Sequence, residues 1–252
     1  MSRAASPAQA IAAMTGMELR LVLRRPENLF ATIVIPTLVL VLFSSVGILP
    51  TGPGRPVDFL LPGSIALAII ATGLVSLGIT TGYDRSYGVL KRLGGSPLGR
   101  GELIVARILT VLAVEAVQVV LLVGTATVLL GWSPGPGASA VLVLVGGVLG
   151  TLAFAGLGIL LAGILRAETM LAVANLLFLA FLALGGIVVP IDRLPAPVAA
   201  IAHALPAAAL SDVLRVALGA SGAGGDALSP LILLGVWGAV TVGLAARTFQ
   251  WE

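Results

Sequence analysis

Apolar residues along the chain gather into long runs, separated by short pieces that hold the charges and much of the Gly and Pro. Five runs are free of charge and reach the roughly 20 residues a helix needs to cross a bilayer core. They are 29–49, 59–82, 138–165, 169–191 and 227–246, and a sixth, 108–130, carries a single acid, Glu115. The pattern predicts an all-α polytopic membrane protein with six transmembrane helices. Nothing between the runs reaches the roughly 50 residues of an independent domain, so 1–252 reads as a single membrane domain.

One further charge-free run, 194–211, contains Pro195, Pro197 and Pro206. Proline interrupts helical hydrogen bonding, and open backbone is tolerated at membrane depth only beside protein or water. The run therefore reads as a re-entrant hairpin on the outer side, between spans five and six, with a seventh span as the alternative. Ahead of the first span, 14–25 reads as an interfacial helix. Met14, Met17 and Leu21 share one side of it, Glu18 intrudes into the same arc, and an Arg cluster suits an anionic leaflet.

Composition agrees with lipid as the main solvent: 58% of residues are hydrophobic and 10% charged, and mean hydropathy is +1.13, whereas about 25% charge is usual in soluble domains. Basic residues are retained on the cytoplasmic side of span ends. With the N-terminus inside, Arg3, Arg20, Arg24, Arg25, Arg85, Lys91, Arg92, Arg100, Arg107, Arg166 and Arg247 lie in the cytoplasm, and only Arg55, Arg193 and Arg215 lie outside. Both termini are then expected in the cytoplasm. The first apolar run starts too late for a signal peptide and is expected to stay in the chain. Net charge is only +3 and is scattered over span ends, which argues against a nucleic-acid partner.

The residues for self-contained catalysis are missing from the sequence. Its one Lys, Lys91, sits in Val89-Leu90-Lys91-Arg92, so no Gly-x-x-x-x-Gly-Lys-Ser/Thr phosphate loop exists. One His, His203, and no Cys exclude the usual zinc-ligand sets. No nucleophile elbow surrounds Ser64, Ser76 or Ser96. The expectation is a protein that is not an enzyme and holds no metal.

Glu115 is the most costly residue to insert, by roughly 2.5 to 3.5 kcal/mol near a span centre. It must face protein or water. Gln118 lies one turn on, and Asn175 sits in the fifth span. Two readings stand: Glu115, Gln118 and Asn175 line a translocation path, or a protonated Glu115 is hydrogen-bonded to Gln118 or Asn175. The pairs Gly146-Gly147, Gly156-x-Gly158 and Gly185-Gly186, and the spaced Gly73 and Gly78, fit close helix approach in lipid. The cytoplasmic piece 83–107 predicts a short basic helix over 83–93, a break at Gly94-Gly95-Ser96-Pro97 and a return to the membrane. It serves either to hold topology or to dock a cytoplasmic protein.

Four motifs in order make the chain resemble the membrane subunits of type 2 ABC exporters, of the multidrug and daunorubicin-resistance kind. They are Arg24-Arg25-Pro26 before a span with Pro36, Asp58-Phe59-Leu60-Leu61-Pro62-Gly63, Gly88-Val89-Leu90-Lys91-Arg92-Leu93 followed by Ser96-Pro97-Leu98, and the segment 185–215 with Pro190, Leu194-Pro195, Pro206 and Arg215. The family pattern has several acids before the coupling glycine, where this chain has Asp84 followed by Arg85, Ser86 and Tyr87. The resemblance implies an exporter permease in a bacterial inner membrane, paired with a second permease copy, identical or related. A separate ATP-binding subunit, which holds the ATP and Mg, would dock on Arg85, Gly88, Leu90, Lys91, Arg92 and Pro97. It also implies that Pro190, Pro195, Pro206 and Arg215 shape the re-entrant hairpin. An amphipathic drug or lipid-like molecule is the expected substrate. The rival readings are a proton-coupled carrier using Glu115, and a membrane scaffold or intramembrane enzyme.

Overall fold

The computed structural model describes residues 6–24, 26–46, 54–96, 98–220 and 226–249. Pro97 and Arg25, and the expected end of the first span at 47–49, lie outside the described residues. Eleven α-helices are described and no strand: α1 Pro7–Leu23, α2 Pro26–Val46, α3 Pro56–Ile70, α4 Leu77–Ser86, α5 Val89–Gly94, α6 Arg100–Leu130, α7 Ala140–Ile164, α8 Ala167–Leu184, α9 Ala196–His203, α10 Pro206–Leu218 and α11 Leu228–Thr248. A π-helical segment, Ala71–Ser76, joins α3 to α4 without a break, giving one 31-residue helix from Pro56 to Ser86. Five helices are long and apolar enough to cross a membrane: this composite, α6, α7, α8 and α11. An apolar stretch of α2, Thr32–Val46, is shorter.

The helix expected over 14–25 is longer at its N-terminal end. It begins at Pro7, where Ser6 forms a capping box with Gln9, an arrangement that satisfies two N-terminal donors at once. Two further expectations need correction. The short helix expected over 83–93 is divided at Tyr87-Gly88, so that 83–86 extend α4 and 89–94 form α5, and 100–107 are not a separate lead but the start of α6. Apolar continuity ends at the first charge, whereas the helix continues wherever the charges find partners. The fifth span also stops early: α8 ends at Leu184, not at 191. There the backbone turns at Gly185-Gly186, with Gly186 at φ +64, a left-handed conformation that glycine adopts without strain.

The composite helix 56–86 is the axis of the fold. Its α3 part is buried almost throughout, in a core with Phe154 of α7, Phe181 of α8 and Leu210, Val213 and Leu214 of α10. Small residues let backbones meet around it. A Cβ on Gly158 would lie 2.7 Å from the Gly73 carbonyl oxygen. One on Gly156 would lie 2.5 Å from Thr241 Oγ1 and 2.8 Å from the Val242 nitrogen of α11. Such contacts are how helices gain packing energy where no hydrophobic effect drives them together.

Gly156→Val is expected to lower stability by about 1 to 3 kcal/mol through overpacking against α11, read as a lower unfolding midpoint in detergent. Gly147→Val, at a glycine with nothing within 4 Å, should leave that midpoint nearly unchanged.

Candidate functional site

The C-terminal end of α4 and the N-terminal end of α6 meet around a buried charge. Arg107 is 2% exposed. Its guanidinium donates to Thr81 Oγ1 at 2.5 Å and to Asp84 Oδ2 at 2.5 Å, and its Nε lies 3.3 Å from Glu18 Oε1 on α1. Thr81 and Asp84 stand three residues apart, on one face of α4. The same face of α1 that offers Glu18 also offers Thr15, whose hydroxyl donates to the Ala106 carbonyl at 3.4 Å. A buried guanidinium is tolerated only when paired, and here it ties three helices together. Sequence reasoning read Arg107 as a topology charge and Glu18 as a blemish on an apolar arc. An acid at a core-facing helical position was the signal that a basic partner lay opposite.

The expected docking residues separate into two groups. Arg85 turns inward, and its guanidinium donates to the carbonyls of Ala162 at 2.8 Å, Gly163 and Leu165 at 3.2 Å, closing the C-terminal end of α7. Leu90 is 1% exposed and packs with Met14, Leu103 and Ile104, so its side chain anchors α5 rather than facing a partner. Gly88 starts α5 at φ +69, in the left-handed region that favours glycine. Lys91 and Arg92 are exposed, as is Tyr87 at 70%, whose ring stacks on Tyr83 with centroids 5.8 Å apart.

Within the spans, the polar residues do not pair as expected. Glu115 is buried and accepts a hydrogen bond from the Thr151 hydroxyl on α7, not from Gln118 or Asn175. Gln118 accepts from Thr72 Oγ1 at 3.1 Å and donates to the Thr32 carbonyl at 3.2 Å. Three residues along a helix leave a rotation of about 60° between side chains, enough to turn Glu115 to α7 and Gln118 to α2 and the π segment. Asn175 is exposed on α8 and donates to its own helix at Leu171, 2.8 Å away.

Two cavities flank the π segment, a feature that frequently marks functional sites. One, of about 130 Å³, opens among α1, α4, α5 and α6 beside Glu18, Asp84 and Arg107. The other, of about 280 Å³, lies among α2, the π segment, α4 and α8 and is lined by Pro36, Asn175 and Phe178. Thr32, Ser76 and Thr80 line both. Glu115 and Gln118 line neither of these two.

On the opposite side, α9 and α10 form a pair bent by 78°. Pro190 precedes a 3-10 turn, Ile191–Arg193; Pro195 caps α9 and Pro206 begins α10, positions where a missing N–H costs nothing. Arg215 sits 4.3 Å over the Phe59 ring, pairs with Asp212 at 3.0 Å and donates to the Gly186 carbonyl. It thereby ties α10 to the start of α3 and to the turn after α8.

The sequence profile of the ABC-2 type transporter family matches residues 9–218, from within α1 to the end of α10. The chain belongs to the ABC-2 type transporter family. No curated protein matches it. The ABC-2 assignment, with the apolar helices, makes the chain a multi-pass membrane protein and a transport subunit that is not itself the catalyst, in a family that usually pairs with an ATP-binding subunit. The matched region takes in every element of both cavities, the Arg107 node and the bent pair, while α11 lies beyond it.

Arg107→Ala leaves Asp84 and Glu18 without their cation and is expected to cost about 3 kcal/mol, seen as a lower unfolding midpoint. A double-mutant cycle with Asp84→Asn should give a coupling of at least about 1 kcal/mol; additive losses would show that the ion pair is energetically idle.

Proposed function

We propose that this chain is the permease subunit of an exporter that moves amphipathic drugs or lipid-like molecules out of the cytoplasm, with ATP and Mg bound on a separate ATP-binding subunit. The observation that carries this reading is the exposed edge of Tyr87, Lys91 and Arg92, held by the buried Leu90 and joined through the turn at Gly88 to α4, which runs into the π segment between the two cavities. Force applied to α5 by a docked ATPase would pass through that turn into α4 and reach both cavities. Closure of that ATPase on nucleotide would bias the membrane subunits between two states, the driving free energy being the difference in nucleotide affinity.

Six crossings accompany this reading: α2, the composite 56–86, α6, α7, α8 and α11, with the bent α9–α10 pair entering and leaving on the outer side of a bacterial inner membrane. Both ends of the chain then face the cytoplasm. A second permease copy, identical or related, covers the face of α8 on which Asn175 is exposed, since an amide against acyl chains is unfavourable. The route passes the cleft lined by Asn175, and Glu115 and Gln118 serve the packing of α6.

The sequence has no Cys, so single cysteines report topology cleanly. Cysteines at Ala196 and Ala220 should both react with an impermeant maleimide added outside; reaction of the second only from the cytoplasm would make α9–α10 a seventh span. Tyr87→Ala combined with Arg92→Glu should reduce co-purification with the cognate ATP-binding subunit by about tenfold, and unchanged association would remove the docking role. Glu115→Gln, which keeps an acceptor for Thr151, should export within about twofold of the parent. Export that survives ATP depletion and collapses with a protonophore would instead identify a proton-coupled carrier.

A further inference from the structure

The cavity beside α1 has a chemistry that the export reading alone does not specify. Among the described residues three charged side chains line it, Glu18, Asp84 and Arg107, for a formal charge of −1 when all are ionised. Arg107 is committed: Thr81, Asp84 and Glu18 surround its guanidinium. Each carboxylate uses one oxygen on Arg107 and keeps acceptor capacity on the other. Ser76, Thr80 and Thr110 add hydroxyls to the wall. An anion entering here would have to displace a carboxylate from a buried guanidinium, at a cost of several kcal/mol. A cation instead neutralises the excess charge and finds acceptors on several sides.

The remainder of the wall is apolar, with Val22, Leu77, Val111 and Val114 among its residues. Met17 and Leu21, each 43% exposed, form the α1 side of the mouth. Since α1 is the interfacial helix, that mouth opens at the level of the cytoplasmic headgroups. A site with one negative end and an apolar body suits a molecule with one positive end and an apolar body.

We infer that this cavity binds the ammonium end of an amphipathic amine, with the ammonium between Glu18 and Asp84 and the apolar body along Val111 and Val114. The inference deepens the export reading by naming a substrate class and a loading site on the cytoplasmic side, and rests on that reading for the sense of transport. Two sources supply the group: a soluble amphipathic amine, or the ethanolamine headgroup of a lipid in the cytoplasmic leaflet. The Ser76 and Thr80 wall shared with the second cavity gives a bound molecule a short passage to the cleft at Asn175.

The test needs neither ATP nor an ATPase, so its outcome is independent of whether the docking assignment holds. The full chain in phosphatidylcholine nanodiscs is titrated with dansylcadaverine and with its uncharged N-acetyl derivative, subtracting empty discs. The amine should bind about tenfold more tightly than the acetylated probe, the scale of one charge-assisted hydrogen bond. Glu18→Gln and Asp84→Asn should each reduce that preference to about twofold. Because both touch the Arg107 node, Val114→Phe provides a second variant away from it, and should weaken both probes by filling the cavity. Equal affinity for the two probes in the parent chain, a preference that survives both charge variants, or undiminished binding to Val114→Phe would each overturn the proposal. Replacing part of the lipid by phosphatidylethanolamine distinguishes the sources: weaker amine binding assigns the site to the headgroup, and unchanged binding assigns it to a soluble amine.

Discussion

A guanidinium withdrawn from water must be paired, and Arg107 meets that demand where three helices converge. Thr81 and Asp84 hold it from α4 and Glu18 holds it from α1. Because the penalty for an unpaired buried charge is several kcal/mol, the three helices cannot move independently at this level. Helices α1, α4 and α6 act as one block at this level. The cavity beside α1 exists because α1 is propped against α6 by this node, and its negative excess exists because one arginine meets two acids.

The composite helix 56–86 carries the consequence through the membrane. Its C-terminal end bears Asp84 and Arg85, one bonded to α6 and the other to the last carbonyls of α7. Its middle is the π segment, where Thr72 reaches Gln118, and its N-terminal end offers Phe59 to Arg215. The chain thus places paired cations at both ends of one helix, with a widened turn between them.

Much of the architecture was legible in the sequence, because apolar run length reports directly on bilayer thickness. Five of the expected spans reappear as long apolar helices, the proline-rich run 194–211 breaks into a bent pair, and the glycines at 73, 156 and 158 sit at helix contacts. The candidate site was less legible. Leu90 and Arg85 stand in a string that reads as exposed and basic, yet one enters the core and the other closes a helix end. Glu115 and Gln118 share a nominal face but are drawn to different neighbours. Side-chain direction within a short helix, and the choice among several available partners, depend on which helix lies opposite, and local periodicity does not encode that.

By itself, the sequence determined the solvent, the number of apolar runs, the gathering of basic residues between them and the lack of a phosphate loop, since each follows from composition and order alone. The tertiary structure decided that Glu18, Thr81, Asp84 and Arg107 meet, that α4 and α6 continue past their apolar limits, and that cavities open on both sides of the π segment. Those features rest on pairing between residues far apart in the chain, such as Glu18 and Arg107, 89 positions apart. A charge in lipid is stable only with its partner, and only the packing of helices brings that partner within reach.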